Sequence, residues 1–365
     1  MPRAVVGRTG ELRLIERFLE ALSAGPQVLV LRGEAGIGKT TLLRAAIDQA
    51  RERGVRVLAC TAVAAEARLS YMGLGDLFAD VRVDERPRLP APQRGALDAA
   101  LLRSGRTAAD ADPRAVATAT LSVLESLADE RLVLVAIDDA QWLDSPTAAV
   151  AEFCAWRHSG RVGLLATQRV GEGTDWPARL ARRLAPERIE LHRLGPLHPD
   201  EVALMLRDRA GDSLDRRTLL RIQEAAGGNP FYAVELARAV PREGSAGLSL
   251  PDSLDEILAA RLGGLAPGTD EALLAVACLA QPTVDVLERA LGRLVLSVLD
   301  EAEEREIVQR DGRTLRFAHP LLAAGVYARA SAPGCRAMHA RLSAAVDDVE
   351  QRARHLALAH QMPEA

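Results

Sequence analysis

Short apolar runs alternate with amphipathic stretches through the first half of this chain. The runs at 27–31, 55–63, 131–137 and 162–167 have the composition of buried strands, and 188–191 is a candidate fifth. Segments with helical spacing of apolar residues lie between them, at 39–53, 113–129 and 146–158. Strands that alternate with helices are typical of a parallel sheet covered on both faces. Residues 64–112, which contain three prolines after position 85, predict a partly helical insertion with a loop.

The pattern changes after Leu194. Helical spacing continues at 199–209, 214–226 and 231–240, and a Gly-, Ser- and Pro-rich stretch at 241–251 predicts a linker. Short helices follow. A hairpin is predicted from 306–309 and 314–317, turning at Asp311-Gly312, and helices are predicted between 333 and 361.

Composition restricts the class of protein. The chain has 365 residues, of which 48% are hydrophobic, so it can bury more than one core. Lys plus Arg number 46 and Asp plus Glu 50, which gives none of the basic excess of a dedicated nucleic-acid binder. No apolar run approaches the ~20 residues of a membrane span, and no signal peptide is recognisable. The four cysteines match no metal spacing, and we expect buried thiols in a soluble, cytoplasmic protein.

The strongest chemical signal is the segment GEAGIGKT at 33–40, which fits the pattern of a phosphate-binding loop (the P-loop). Its glycines let successive N–H groups point at phosphate oxygens, and the following helix adds its positive N-terminal end. Lys39 is expected to reach the β- and γ-phosphates of ATP, and the Thr40 hydroxyl to bind Mg²⁺. An apolar strand before the loop and a helix after it support ATP binding. The alternative is a Gly-rich turn with an incidental lysine.

Two further strand ends carry candidate residues. Asp138 follows the run LVLVAI and is expected to hold Mg²⁺, while Asp139 is positioned to polarise an attacking water. Either acid could instead end the strand or cap the next helix. Thr167 and Arg169 end the fourth strand, where ligands of open parallel sheets bind, and Arg169 is a candidate γ-phosphate sensor or an ordinary surface arginine.

Six segments occur in one order, namely VVGRTGEL at 5–12, the P-loop, LVLVAIDDAQWLD at 132–144, LLATQR at 164–169, GGNPF at 227–231 and RFAHPLL at 316–322. Together they closely resemble the STAND class of AAA+-related ATPases. Within that class the chain is similar to the ATPase region of the large, ATP-binding LuxR-type (MalT-like) transcriptional regulators. The resemblance implies an α/β P-loop domain at 1–193, a helical subdomain with linker at 194–250, a winged-helix domain at 251–330 and the start of a helical C-terminal region at 331–365.

The resemblance also implies site roles. Val6, Gly7 and Arg8 would lie beside the adenine, and Pro230 would pack on the base. The phosphates and Mg²⁺ would be held by Gly33, Gly36, Gly38, Lys39, Thr40 and Thr41, with Asp138 and Asp139 as the acidic pair. His319 resembles the winged-helix histidine that touches the β-phosphate of ADP and latches the closed state; its alternative is a histidine of the core or of a helix start.

The function expected from this resemblance is a slow ATPase switch, closed with ADP and open with ATP. Self-association in the ATP state, an inducer or protein partner, and no membrane contact are implied. Regulators of this kind bind DNA through a terminal helix-turn-helix, and only 351–360 resembles the opening of the preceding helical region, so we expect DNA binding to reside outside this sequence. Two alternatives are a DNA-binding AAA+ ATPase of initiator type, reading DNA with its winged helix, and a non-hydrolysing interaction module stabilised by ATP.

Overall fold

The computed structural model describes residues 5–82, 85, 87–103, 111–158, 161–170, 176–210, 215–239, 259, 261–266, 268–292 and 295–360. The chain divides into two compact units, Met1–Ala237 and Arg238–Ala365. The predicted linker at 241–251 lies outside the described residues. Residues 194–237 share the first unit with the sheet.

The first unit contains one parallel sheet. Its five strands are β1 (Gln27–Gly33), β2 (Arg56–Thr61), β3 (Val133–Asp138), β4 (Val162–Arg169) and β5 (Ile189–Arg193). They are arranged in the order β2-β3-β4-β1-β5, and every neighbouring pair is parallel. The prediction of a parallel sheet is therefore confirmed, including the fifth strand. β4 runs two residues beyond its predicted end and includes Gln168 and Arg169.

Side-chain alternation assigns the helices to the two faces of this sheet. Val28 and Val30 of β1 contribute to one apolar cluster, and Leu29 and Leu31 contribute to the other. The first cluster is completed by α3 (Met72–Leu77), α4 (Ala91–Ala100), α5 (Pro113–Glu130) and α6 (Ser145–Arg157). The second is completed by α1 (Thr9–Ala21) and α2 (Lys39–Glu52). β3 is buried along its whole length, as expected of a strand covered on both faces.

Helix α1 was not predicted from the sequence. Its buried residues Leu14, Ile15, Phe18 and Leu19 recur at helical spacing, and that signal was available. The insertion at 64–112 is partly helical, as predicted, since α3 and α4 lie in it.

Four further helices begin in the described residues of the first unit that follow β4. They are α7 (Trp176–Ala181), α8 (Pro199–Ala210), α9 (Arg216–Ala226) and α10 (Pro230–Ala239), of which the last extends two residues past the end of the first unit. Asp215 caps α9 by accepting hydrogen bonds from the backbone N–H groups of Arg217 and Thr218. The left-handed Gly227 and Gly228 end that helix and turn the chain into α10.

The described part of the second unit has six helices of four or more residues and one hairpin. The helices are α11 (Thr269–Cys278), α12 (Val284–Leu291), α13 (Val295–Glu304), α14 (Pro320–Arg329), α15 (Ala332–Ala345) and α16 (Val349–Ala359). The hairpin consists of β6 (Val308–Asp311) and β7 (Thr314–Phe317), and Gly312 lies in its turn with φ 60°. Its first strand starts two residues later than predicted, because Glu306 has a left-handed φ of 52°. Within the described ranges, no helix is both long and apolar enough to span a bilayer.

Candidate functional site

The P-loop joins β1 to α2 at the carboxyl edge of the sheet. Gly36 and Gly38 have φ values of 78° and 104°, which L side chains rarely adopt. Gly36 also has no room for a side chain, since an added Cβ would lie 2.8 Å from both Asn229 Oδ1 and Phe231 Cβ. The loop therefore has the tight curl that the glycine pattern predicts, and α2 begins directly at Lys39.

Lys39 lies inside the curl of this loop. Its side chain is buried, and Nζ donates to the carbonyl oxygens of Gly33 at 3.0 Å and Glu34 at 2.7 Å. Of the 46 lysine and arginine residues, Lys39 is the only lysine. A compact ammonium fits inside a narrow backbone loop where a planar guanidinium does not. The chain thus uses its single lysine where the geometry demands one.

The carboxylate of Asp138 lies at the end of β3, against two threonine hydroxyls. Thr167 Oγ1 donates to Asp138 Oδ1 at 2.5 Å, and Thr40 Oγ1 donates to the same oxygen at 3.2 Å. Burial raises the pKa of Asp138, as does the neighbouring charge of Asp139, while the two hydroxyl hydrogen bonds act in the opposite direction. A buried carboxyl group under these influences is stabilised in its charged form by a cation.

Asp139 belongs to a second polar network beside Asp138. Its backbone is left-handed, with φ 52°, and its N–H donates to Thr167 Oγ1 at 2.8 Å. Its carboxylate accepts from Gln141 Nε2 at 2.9 Å and lies 3.8 Å from Arg169 Nε. Gln141 in turn accepts from the backbone N–H of Arg169 at 3.0 Å. Asp139 and Arg169, predicted separately from two strand ends, are therefore brought together as an ion pair.

The donor set at Thr40 and Asp138 fits Mg²⁺. Hydroxyl and carboxylate oxygens are the hard ligands that this ion prefers, and adjacent ligands of an octahedral Mg²⁺ are about 2.9 Å apart. The 3.2 Å separation of the two oxygens is close to that value. These two residues would hold the ion, leaving its other positions to phosphate and water.

The segment before α1 approaches the P-loop from another direction. Arg8 is buried, and its Nη2 donates to the carbonyl oxygens of Ile37 and Gly195, each at 2.9 Å. Gly7 lies against α8, since an added Cβ would be 2.8 Å from Glu201 Cβ. The half-buried Val6 precedes them. Arg8 therefore lies at the loop, while the predicted contact of Val6, Gly7 and Arg8 with adenine stays a prediction.

The turn before α10 packs on the same loop. Asn229 Nδ2 donates to the carbonyl of Ala35 at 2.8 Å, and the backbone N–H of Phe231 lies 3.4 Å from the carbonyl of Gly36. Pro230 starts α10 between these two contacts. Thr41 lies exposed in the first turn of α2. His319 belongs to the second unit, between β7 and α14, and its predicted role at the phosphate stays a prediction.

Sequence reasoning did not single out Gln141 or Asn229. For Asn229 a signal was available, because it is the only asparagine in the chain. Gln141 offered no comparable signal, since its role depends on the approach of β3 and β4.

Comparison with known proteins supports the P-loop NTPase fold that this site indicates. Residues 4–166 match a family model described as an AAA ATPase domain. A solved STAND protein with a tetratricopeptide repeat sensor from Pyrococcus horikoshii has 12% identity and a TM-score of 0.60, over 95% of this chain and 48% of that one. The chain thus spans about half of that protein's length.

Two further solved structures show weaker similarity. A Walker-type ATPase from Pyrococcus abyssi has 16% identity and a TM-score of 0.44, over 88% of this chain and 96% of that one. Cdc6p from Pyrobaculum aerophilum has 17% identity and a TM-score of 0.42, over 89% and 94%. A search of curated proteins found no match. The family match indicates an AAA ATPase domain over residues 4–166, and the STAND protein shares the fold of this chain.

Proposed function

We propose that this chain is an ATP-binding, slowly hydrolysing switch of a LuxR-type transcriptional regulator, closed with ADP and open with ATP. The observation that carries nucleotide binding is the convergence of Lys39, Thr40 and Asp138 at one end of the parallel sheet. No other cluster in the described residues combines a glycine cradle, a cation and a pair of magnesium-type ligands.

Each residue has a definable task in this proposal. The P-loop amides and Lys39 bind the phosphates, and Thr40 and Asp138 hold Mg²⁺, which supplies charge neutralisation at the phosphates. Asp139 orients the attacking water and accepts its proton. Arg169 is held beside Asp139, and its guanidinium would form charge-assisted hydrogen bonds with the γ-phosphate.

The switch part of the proposal draws on the segments outside the sheet. The turn before α10 contacts the P-loop, and this contact supports a helical subdomain whose position depends on the bound nucleotide. In the second unit, α11, α12 and α13 precede the β6–β7 hairpin, and an isolated bridge joins Thr283 to Thr314. Three helices followed by a wing-like hairpin support the winged-helix domain at 251–330. His319, next to the hairpin, would touch the β-phosphate of ADP in the closed state.

The single lysine provides a direct test of nucleotide binding. The α-amino group is the only other primary amine, so an amine-reactive reagent followed by mass spectrometry reports on Lys39 with an internal reference. MgADP and MgATP should protect Lys39 and leave the α-amino group unchanged, because phosphate and Lys39 would be in contact. Unaltered labelling of Lys39 at saturating nucleotide would reject the proposal.

Purified protein also separates the switch from the alternatives. A latch should retain ADP through purification, and exchange for ATP should increase the molar mass in solution. His319→Gln should lower the affinity for ADP more than the affinity for ATP, whereas replacing a histidine of the core would lower both affinities equally.

Hydrolysis tests the alternatives. Asp139→Asn should abolish slow hydrolysis and keep nucleotide binding, and a wild-type protein without any hydrolysis would favour the interaction module. A salt-dependent shift of duplex DNA by this chain would favour the initiator-type ATPase.

A further inference from the structure

Every carbonyl group from Gly33 to Ile37 in the P-loop lies within hydrogen-bonding reach of a donor. Lys39 Nζ donates to the carbonyls of Gly33 and Glu34 from inside the loop. The donors to the next three carbonyls lie outside the loop. Asn229 Nδ2 donates to Ala35 at 2.8 Å, the N–H of Phe231 lies 3.4 Å from Gly36 O, and Arg8 Nη2 donates to Ile37 at 2.9 Å.

The two side-chain contacts act on particular peptide groups. The carbonyl of one residue and the N–H of the next belong to one planar trans unit and point in opposite directions. Asn229 therefore fixes the direction of the Gly36 N–H through Ala35, and Arg8 fixes the Gly38 N–H through Ile37. These are the two loop glycines with positive φ. The N–H between them, that of Ile37, is already turned toward Glu34 O at 3.4 Å.

Hydrogen bonding to a carbonyl also polarises the N–H of the same peptide group. Chains of hydrogen bonds strengthen one another in this way, most of all where water is excluded. Arg8 and Asn229 are both about 5% exposed. The Arg8 guanidinium is also paired with Glu11, whose Oε1 lies 2.9 Å from Nη1, so it acts on the loop through its hydrogen bond to Ile37 O more than through net charge.

The two side chains come from segments that flank the sheet in sequence. Arg8 precedes α1, and its guanidinium also holds the carbonyl of Gly195, just after β5. Asn229 precedes α10, and its Oδ1 accepts from the N–H of Phe231 at 3.1 Å. Asn229 is thus bonded at one end to the loop and at the other to the first turn of α10.

We propose that Arg8 and Asn229 are positioning residues for phosphate binding, which orient and polarise the N–H groups of Gly38 and Gly36, and that Asn229 thereby couples α10 to the nucleotide. This inference rests on the proposed nucleotide binding. It assigns to Arg8 a role at the loop backbone in addition to the expected one beside the adenine. It also explains why the only asparagine of the chain lies at this turn, since no other side chain of that length offers both an amide donor and an acceptor.

The probe for this inference is inorganic triphosphate, which has neither base nor sugar. Its affinity is measured by calorimetry for wild type, Asn229→Ala, Asn229→Asp and Arg8→Lys. The loss of one donor should weaken triphosphate by about tenfold, and Asn229→Asp should weaken it further because a carboxylate replaces the amide beside Ala35 O. Gln223→Ala is the matched control, since Gln223 Nε2 donates to Pro199 O at 2.6 Å, within the same helical segment. Arg13→Lys on α1 is the control for Arg8.

Hydrogen exchange supplies a readout that a merely structural role would leave unchanged. In wild type, ADP should slow exchange both in the P-loop and in α10. In Asn229→Ala the slowing in α10 should disappear even at ADP concentrations that saturate the site. The controls should behave as wild type does.

The outcomes separate this inference from the proposal on which it rests. If wild type binds neither triphosphate nor ADP, the proposed function fails. If wild type binds both and the variants bind equally well, only the positioning role is overturned. Urea unfolding of each variant excludes loss of fold as the cause, and if Asn229→Ala does not fold, Arg8→Lys and Asn229→Asp decide the result.

Discussion

The two compact units of this protein bury charged and titratable groups in different ways. In the first unit, Arg8, Lys39 and Asp138 are each about 5% exposed, and all of them form hydrogen bonds with residues of the P-loop. In the second unit, His339 and His355 are about 2% exposed and join α15 to α16. Buried polar groups that converge on one backbone loop indicate a ligand, whereas a buried pair between two helices indicates the packing of those helices.

The largest expected effect concerns the P-loop lysine. Lys39→Ala should weaken MgADP by more than about a hundredfold, because a charge-assisted contact to phosphate is lost at a buried site. Lys39→Arg should also weaken it strongly, since the guanidinium does not fit the loop. Calorimetry measures both, with Arg51→Ala at the far end of α2 as control. If the affinity for MgADP is unchanged in Lys39→Ala, the buried polar groups at the P-loop do not indicate a nucleotide site.

The second prediction concerns the histidine pair. Nδ1 of His339 lies 2.9 Å from Nδ1 of His355, so one nitrogen must donate and the other accept, and Tyr327 Oη lies 3.3 Å from His339 Nε2. Burial lowers the pKa of both histidines to about 4, and for His355 the neighbouring His339 and Arg354 add to the effect. A pKa below the unfolded value means that the pair stabilises the fold when neutral.

The sign of the pH dependence follows from those pKa values. Between pH 6.5 and 4 the unfolded chain binds more protons than the folded one, so stability falls as the pH falls through this range. Each histidine contributes a slope of up to roughly 1.4 kcal/mol per pH unit. Urea unfolding at pH 7, 6 and 5 should show a shallower dependence in His355→Gln, while exposed His198→Gln should match wild type. If stability depends on pH equally in all three proteins, His339 and His355 are not buried in their neutral forms.

A smaller effect is expected from glycine substitutions that share one backbone conformation. Gly36 and Gly54 have φ values of 78° and 74°, but an added Cβ meets Asn229 and Phe231 only at Gly36. Gly54→Ala should lower the free energy of unfolding by roughly 1 kcal/mol through backbone strain, and Gly36→Ala by roughly 1–3 kcal/mol. Chemical denaturation measures the difference. If both variants lose the same free energy of unfolding, the turn before α10 can move to make room for the added Cβ without loss of stability.

The smallest effect is expected at the surface of the second unit. Arg313 forms an ion pair with Asp285, and both side chains are half or more exposed. Such pairs contribute about 0–1 kcal/mol. Arg313→Ala should therefore leave the urea midpoint nearly unchanged, in contrast to His355→Gln at low pH. A large loss would show that this pair holds the hairpin against α12.

Much of the site could be predicted because its parts are local. The P-loop pattern depends on backbone geometry within eight residues, and Asp138 was found because the apolar run of β3 stops there. Arg169 was placed at the correct strand end, but its pairing with Asp139 was not predicted. That contact exists because β3 and β4 are neighbours in the sheet, which the sequence pattern does not specify.

Asn229 shows the limit more clearly. It lies 194 residues from Ala35 in the chain, and its hydrogen bond forms only because the turn before α10 packs on the loop. Helix α1 is a different case, since its buried residues recur at helical spacing within one short segment of the sequence.

The sequence by itself determined the alternation of buried strands and helices, the phosphate-binding loop with its one lysine, and the acid that faces it. Periodicity and glycine conformation act over short distances, and these features follow from them. The tertiary structure alone decided the strand order, the Asp139–Arg169 pair, the burial of His339 against His355, and the attachment of α10 to the loop. Those features depend on which distant segments pack together, and that choice is made by the whole core.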